Sequence, residues 1–185
     1  MVAGPSGVGK TTLAAELARR RPDLHVSVSS TTRPRRPGEV DGQDYRFLAP
    51  ELFEQLDREG AFLERATVHG HRYGTPREPV ERALGEGRTV LLEIDVQGAR
   101  QVREAMPEAV LVFIEPPSEE ELLQRLAGRG TESEEALALR VRNARRELAE
   151  APSFDHRIVN DELGRAVDAL GRILDASRPT AEENA

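Results

Sequence analysis

Residues 4–11 read Gly4-Pro5-Ser6-Gly7-Val8-Gly9-Lys10-Thr11, and an amphipathic stretch, TTLAAELARRRPD, starts at the last of them. The spacing G-x-x-x-x-G-K-[ST] with a helix directly behind it is a phosphate cradle. Its glycines let the backbone wrap tightly, so that successive N–H groups point at a phosphate from a helix N-terminus. Lys10 would reach the β- and γ-phosphates of a nucleoside triphosphate, and the Thr11 hydroxyl would ligate Mg²⁺. Lys10 is also the single lysine among 26 Lys and Arg residues. Arginine serves as the cation everywhere else, whereas a phosphate cradle needs a compact ammonium. The loop identifies a donor nucleotide and leaves the acceptor open.

The bulk properties narrow the field. A chain of 185 residues with 38% hydrophobic and 32% charged residues can bury the core of one α/β domain with small insertions. A net charge of −7 and a pI near 5.3 argue against a general nucleic-acid surface. No apolar run approaches the roughly 18 residues needed to cross a bilayer, so no membrane role is expected. The chain has no cysteine, which excludes disulfides and thiolate sites and fits a cytoplasmic location.

Working outward from the loop, LHVSVSS (24–30) alternates and reads as a strand, and APELFEQLDREG (49–60) as a short helix with Pro50 near its start. AFLERATVHGHRYGTP (61–76) reads as two strands about the Gly70 turn, and REPVERALGEG (77–87) as a helix closed by glycine. RTVLLEIDVQGA (88–99) has the near-continuous apolar run of a buried parallel strand, with RQVREAMP (100–107) as the next helix. EAVLVFIEPP (108–117) is a second buried strand. SEEELLQRLAGRG (118–130) and TESEEALALRVRNARRELAEA (131–151) are helices, each opened by a capping-box pattern. HRIVND (156–161) and ELGRAVDALGRILDAS (162–177) supply a last strand and helix, and residues 178–185 a frayed tail. Strands alternating with helices indicate a parallel sheet covered on both faces, interrupted by an insertion between about residues 28 and 78.

That insertion carries a second anion site. Arg33, Arg35 and Arg36 lie within four residues, followed by Glu39 and Tyr45. Guanidiniums fork onto phosphate oxygens, and a phenol adds a donor. Glu64 and Tyr73 follow, and Tyr45 and Tyr73 are the only tyrosines. A solvated basic loop is the plainer reading of the arginines taken alone. His69 and His71 could share a strand face, but no third ligand is near, so they read as turn or surface histidines. Glu93 and Asp95, two apart at the expected carboxyl end of a core strand, point the same way, at the end where α/β sheets bind ligands.

The segments SVSSTTR, RPGEVDGQDY, FLE, YGT, LEIDVQGA, RLAGRGTESEE and IVND, in this order and spacing, resemble the guanylate kinase family over about residues 2 to 175. The resemblance implies a P-loop NTPase parallel sheet flanked by helices, with an inserted small mixed α/β GMP-binding subdomain and a helical lid. The expected partition is a core of residues 1–27, 79–119 and 151–185, a GMP-binding subdomain of 28–78 and a lid of 120–150. It implies ATP on Gly4, Pro5, Ser6, Gly7, Val8, Gly9, Lys10, Thr11 and Thr12, with Asn160 near the adenine or ribose. It implies Arg33, Arg36, Tyr45 and Tyr73 on the GMP phosphate, Ser29, Glu64 and Thr75 on the guanine, and Glu93 facing the acceptor nucleotide. Lys10, Arg36, Arg125, Arg129 and Arg140 would be catalytic, with Mg²⁺ accompanying ATP on Thr11 and near Asp95, directly or through water. Guanine chemistry agrees: one carboxylate accepts from both N1–H and the N2 amine, and a hydroxyl donates to O6. Adenine has no N1 proton and would set a lone pair against Glu64.

The expected activity is therefore transfer of the γ-phosphate of ATP to GMP or dGMP, by a monomer or small homo-oligomer. The alternatives are a catalytically silent module of related fold that binds phosphorylated partners, and a kinase for another phosphorylated small acceptor. Intact Lys10 and Thr11 argue against the first, and Glu64 with Ser29 against the second. Three positions depart from the family pattern. Arg35 stands where proline is common, as an extra phosphate contact or a solvated charge. Thr75 replaces a more usual serine. Only Met1-Val2-Ala3 precedes the loop, so either the start is assigned too late or the first strand, expected at the centre of the sheet, is abnormally short, lowering stability while retaining the site.

Overall fold

The computed structural model describes residues 1–68, 70–127 and 134–177. By its backbone contacts the chain divides into two compact units, one of residues 23–109 (joined by Met1) and one of residues 2–22 and 110–185.

The second of these carries the loop. Strand β1 (Val2–Ala3) pairs in parallel with β8 (Val112–Glu115), and β8 in parallel with β9 (His156–Val159). The order β1-β8-β9 puts β8 in the middle, and Leu111, Val112, Phe113 and Ile114 are all buried, as a strand covered on both faces requires. Within this sheet β1 is an edge strand of two residues, not the central one the sequence leads one to expect. Helix α1 (Lys10–Arg20) packs against α7 (Leu163–Ala176), and Leu13 and Leu17 of the first and Leu170 of the second are buried. Helices α5 (Glu119–Ala127) and α6 (Glu134–Ala149) meet over Leu122, Leu126 and Ala144. Ser118 caps α5, its Oγ accepting from the Glu121 N–H at 3.2 Å. The second expected capping box, at 131–134, and the tail at 178–185 lie outside the described residues.

The other unit holds two ladders. Strand β2 (Leu24–Val26) pairs in parallel with β7 (Thr89–Leu91). A four-stranded mixed sheet follows in the order β4 (Arg46–Phe47), β3 (Ser30–Thr31), β6 (His71–Pro76), β5 (Phe62–Val68). Helices α2 (Pro50–Arg58), α3 (Arg77–Gly85) and α4 (Val96–Ala105) complete it. The Phe53 ring of α2 stacks on Phe62 of β5 with centroids 4.6 Å apart. Gly74 on β6 makes room for both, since a Cβ there would stand 3.0 Å from Phe62 and 3.2 Å from Phe53.

Two expectations are corrected. The strand over 24–30 is broken: the Ser27 N–H still bonds the Leu91 carbonyl, but the chain then crosses to the other sheet, where the Ser29 carbonyl accepts from Arg46. The run 88–99 is strand only to Leu91, and α4 starts at Val96, four residues before the expected Arg100. Asp95 causes this by capping α4, its Oδ1 accepting from the Gly98 N–H at 2.8 Å. Among the described residues no helix is long and apolar enough to cross a membrane.

Phe53 is 1% exposed and Leu52, its neighbour, 43%. Phe53→Ala should lower unfolding free energy by about 3–5 kcal/mol in urea titrations, and Leu52→Ala should change it by about 0.5 kcal/mol or less.

Candidate active site

The loop between β1 and α1 is held from behind. Gly4 has φ 144°, and a Cβ there would run into the Ile114 carbonyl of β8. Gly9, the residue that opens α1, has φ 97°, and a Cβ there would stand 2.6 Å from the Asn160 side-chain nitrogen. Only glycine meets both demands. No side chain caps α1 and no acid lies in its first turn, so its N-terminal N–H groups and dipole favour an anion. Thr11 and Thr12 are exposed on that first turn.

Three side chains converge on the loop. The Lys10 ammonium donates to the carbonyls of Gly4 at 2.7 Å and Pro5 at 3.2 Å. The buried Arg140, from α6, donates to the Ser6 hydroxyl at 3.3 Å. Asn160, just past β9, donates its buried amide to the Val8 carbonyl at 2.8 Å, while its own N–H bonds the Glu115 carbonyl. Asn160 thus ties the middle of the loop to the end of the β8–β9 ladder. Among the described residues the Arg125 guanidinium makes long contacts of 3.5 Å, to the Asn160 carbonyl and to Glu121. Arg129 lies outside the described residues.

The unit of residues 23–109 gathers the remaining candidates. Arg33 is buried and forks onto Glu39 with bonds of 2.7 and 3.0 Å, its guanidinium 5.4 Å from the centre of the Tyr45 ring. Glu39 also accepts from the Arg36 N–H at 2.7 Å. The Arg33 hydrogen bonds, helped by that N–H, hold the Glu39 carboxyl below its ordinary range. Glu39 is the organiser of this cluster, a part the sequence reading did not give it. An acid placed among three arginines was the available signal. Tyr45 and Tyr73 meet edge to face at 6.0 Å. Burial, with the negative field of Glu93 added, pushes the Tyr45 phenol up to about 12, so it stays a proton donor at neutral pH. Arg35 and Arg36 are exposed.

Glu64 and Thr75 face each other across the β5–β6 hairpin. Both are buried, and the Thr75 hydroxyl donates to Glu64 Oε1 at 2.6 Å. Burial raises the Glu64 carboxyl to about 7; nearby Asp95 adds to this, and the Thr75 bonds oppose it. Ser29 is half-buried at the crossing between the two ladders. Glu93 lies two residues beyond β7, and Asp95 is the cap of α4, its Oδ2 also accepting from Gln97. β7 ends at Leu91, so the pair follows its carboxyl end, Asp95 already at the start of α4. His71 is on β6, and His69 lies outside the described residues. Among the described residues no group of three or more His, Cys, Asp or Glu could hold a metal ion.

The guanylate kinase family model matches residues 1–177. The guanylate kinase of Gloeobacter violaceus is 54% identical over 174 residues, covering 94% of this chain and 85% of that one. That of Thermobifida fusca is 53% identical over 176 residues, covering 95% and 90%. The crystal structure of guanylate kinase from Anaplasma phagocytophilum superposes with a TM-score of 0.82 at 35% identity, covering 98% of this chain and 87% of that one. A shikimate kinase from Bacteroides thetaiotaomicron, with a TM-score of 0.52 and 18% identity, shares the fold alone. A phosphate loop in one unit, a buried carboxylate and a guanidinium–phenol cluster in the other, and these matches along nearly the whole chain lead to one conclusion: the chain belongs to the guanylate kinase family.

Proposed function

We propose that this chain transfers the γ-phosphate of ATP to GMP or dGMP, giving ADP and GDP. The observation that carries the reading is Glu64, a carboxylate buried at the hairpin with a hydroxyl bonded to one oxygen. Guanine gives it what water no longer does: N1–H and the N2 amine are two donors in the plane of one carboxylate. The Thr75 hydroxyl has a single proton, and Glu64 holds it. Thr75 therefore orients Glu64, and the donor to guanine O6 is Ser29. Arg33, Arg36, Tyr45 and Tyr73 take the GMP phosphate, with Arg33 fixed by Glu39 and the Tyr45 phenol held protonated as a donor.

In the transfer an oxygen of the GMP phosphate attacks the γ-phosphorus, and the bond to the bridging β–γ oxygen breaks as ADP leaves. The acceptor oxygen is already ionised, so no general base is required. The chain supplies position and positive charge. The loop N–H groups hold the β-phosphate and Lys10 spans β and γ. Arg140 approaches the transferring group from α6, and Arg36, Arg125 and Arg129 add to the charge. The hydroxyl oxygens at the start of α1 suit a hard cation that takes its other ligands from phosphates and water, and Thr11 is the residue that would hold it. Mg²⁺ bound there would neutralise the β- and γ-phosphates. Asp95 keeps its role as the cap of α4, and Asn160 acts on ATP through the loop it braces. Residues 28–78 serve as the GMP-binding part, 120–150 as the lid and the remainder as the core. The protein works in the cytoplasm on these two nucleotides, without nucleic acid or membrane.

ADP production assayed with GMP, dGMP, AMP and UMP should be confined to the guanine nucleotides, AMP falling roughly 10⁴-fold below GMP in kcat/KM. Comparable turnover with AMP would refute the role of Glu64. Asn160→Asp puts an acceptor against the Val8 carbonyl; it should raise KM for ATP about tenfold or more, as a lost buried hydrogen bond implies, and leave KM for GMP within about twofold. Because the folded carboxyl of Glu64 titrates near 7 rather than 4.5, its contribution to stability is full below the unfolded value and is lost as pH rises through 7. Urea unfolding of wild type and Glu64→Gln at pH 5 and pH 8 should thus show the difference moving against wild type by about 2–3 kcal/mol at the higher pH.

A further inference from the structure

Helix α4 approaches the hairpin so closely that Gly98, in its first turn, has the Glu64 carboxylate lying against its Cα. A Cβ built on Gly98 would stand 2.9 Å from Glu64 Cδ and 3.2 Å from Cγ, and closer still to Oε2. Gly98 is not among the glycines of positive φ, so the backbone itself does not demand glycine there. Intrinsic propensity favours alanine in a helix, so it is space that keeps glycine at this position. The approach is fixed on both sides. Asp95 bonds the Gly98 N–H at 2.8 Å, setting where the helix begins. One turn on, the Gln101 amide bonds β5 at the residue next to Glu64, accepting from Arg65 N–H at 3.1 Å and donating to the Arg65 carbonyl at 2.7 Å. Thr75 holds Oε1 from the other side.

We propose that Gly98 is a positioning residue for base selection: its bare Cα is the floor that lets the Glu64 carboxylate sit where it reads the guanine N1–H and N2 amine. The inference rests on the reading of Glu64 given above. The group that a side chain at 98 would displace is the end of a flexible carboxylate, not the backbone. The fold therefore tolerates the change and base selection does not.

The test compares Gly98→Ala, Glu64→Gln and the double variant, with GMP and with inosine monophosphate, which keeps N1–H and O6 but lacks the N2 amine. Gly98→Ala should raise KM for GMP tenfold or more and shrink the preference for GMP over inosine monophosphate. KM for ATP should stay within twofold, and the melting temperature should be unchanged or raised. The double variant should match Glu64→Gln, because the displaced group is already altered. If Glu64→Gln leaves KM for GMP unchanged, the reading of Glu64 fails and this inference falls with it. If Glu64→Gln raises KM and Gly98→Ala does not, the reading stands and the inference alone is overturned. A Gly98→Ala chain that melts lower or does not fold also overturns it, since the fold and not the carboxylate would then be taking the displacement.

Discussion

Removing a carboxylate from water is costly, and much of one unit is organised around the place where this chain does so. Glu64 sits in β5 with Thr75 bonded to one oxygen and the first turn of α4 pressed against the other. Neither contact brings a positive charge, so burial wins and the carboxyl stays near 7. A structural ion pair would have been matched with an arginine, as Glu39 is with Arg33. These two acids thus show opposite solutions to the same problem. Glu39 is neutralised from within the chain, and Glu64 is held by a neutral hydroxyl.

The other unit solves a different problem with the same economy. A loop that presents its N–H groups to phosphate must direct carbonyls elsewhere, and buried carbonyls need donors. Lys10 takes Gly4 and Pro5, and Asn160 takes Val8. The loop is therefore shaped before any nucleotide arrives, which limits the ordering that binding would otherwise require. Arg140 reaches Ser6 from a helix far along the chain, so α6 is already in register with the loop.

What could be read from the sequence was what is local. The phosphate loop is eight consecutive residues, and the alternating runs 62–68 and 71–76 declare their hairpin through its turn. The partnership of Glu64 and Thr75 needed the resemblance, because they are eleven residues apart and meet only through strand register. The strand drawn through 88–99 failed for a physical reason: LLEIDV is apolar enough for either a strand or a helix approach, and the Asp95 cap decides between them. The Asn160–Val8 bond spans 152 positions and leaves no local trace. The crowding of Gly98 was equally hidden, since a glycine in a helical run carries no sign of what lies above it.

The single lysine has one more consequence. Its ammonium already holds two loop carbonyls and is the group expected to meet the phosphates. Every other side-chain cation in the chain is a guanidinium, or a histidine, which acylating reagents do not convert to a stable amide. An amine-directed acyl donor therefore has one lysine to find, and modification there would remove the charge and both carbonyl bonds in a single event. Chemical inactivation of this chain would follow one-hit kinetics, and bound nucleotide would act as the shield.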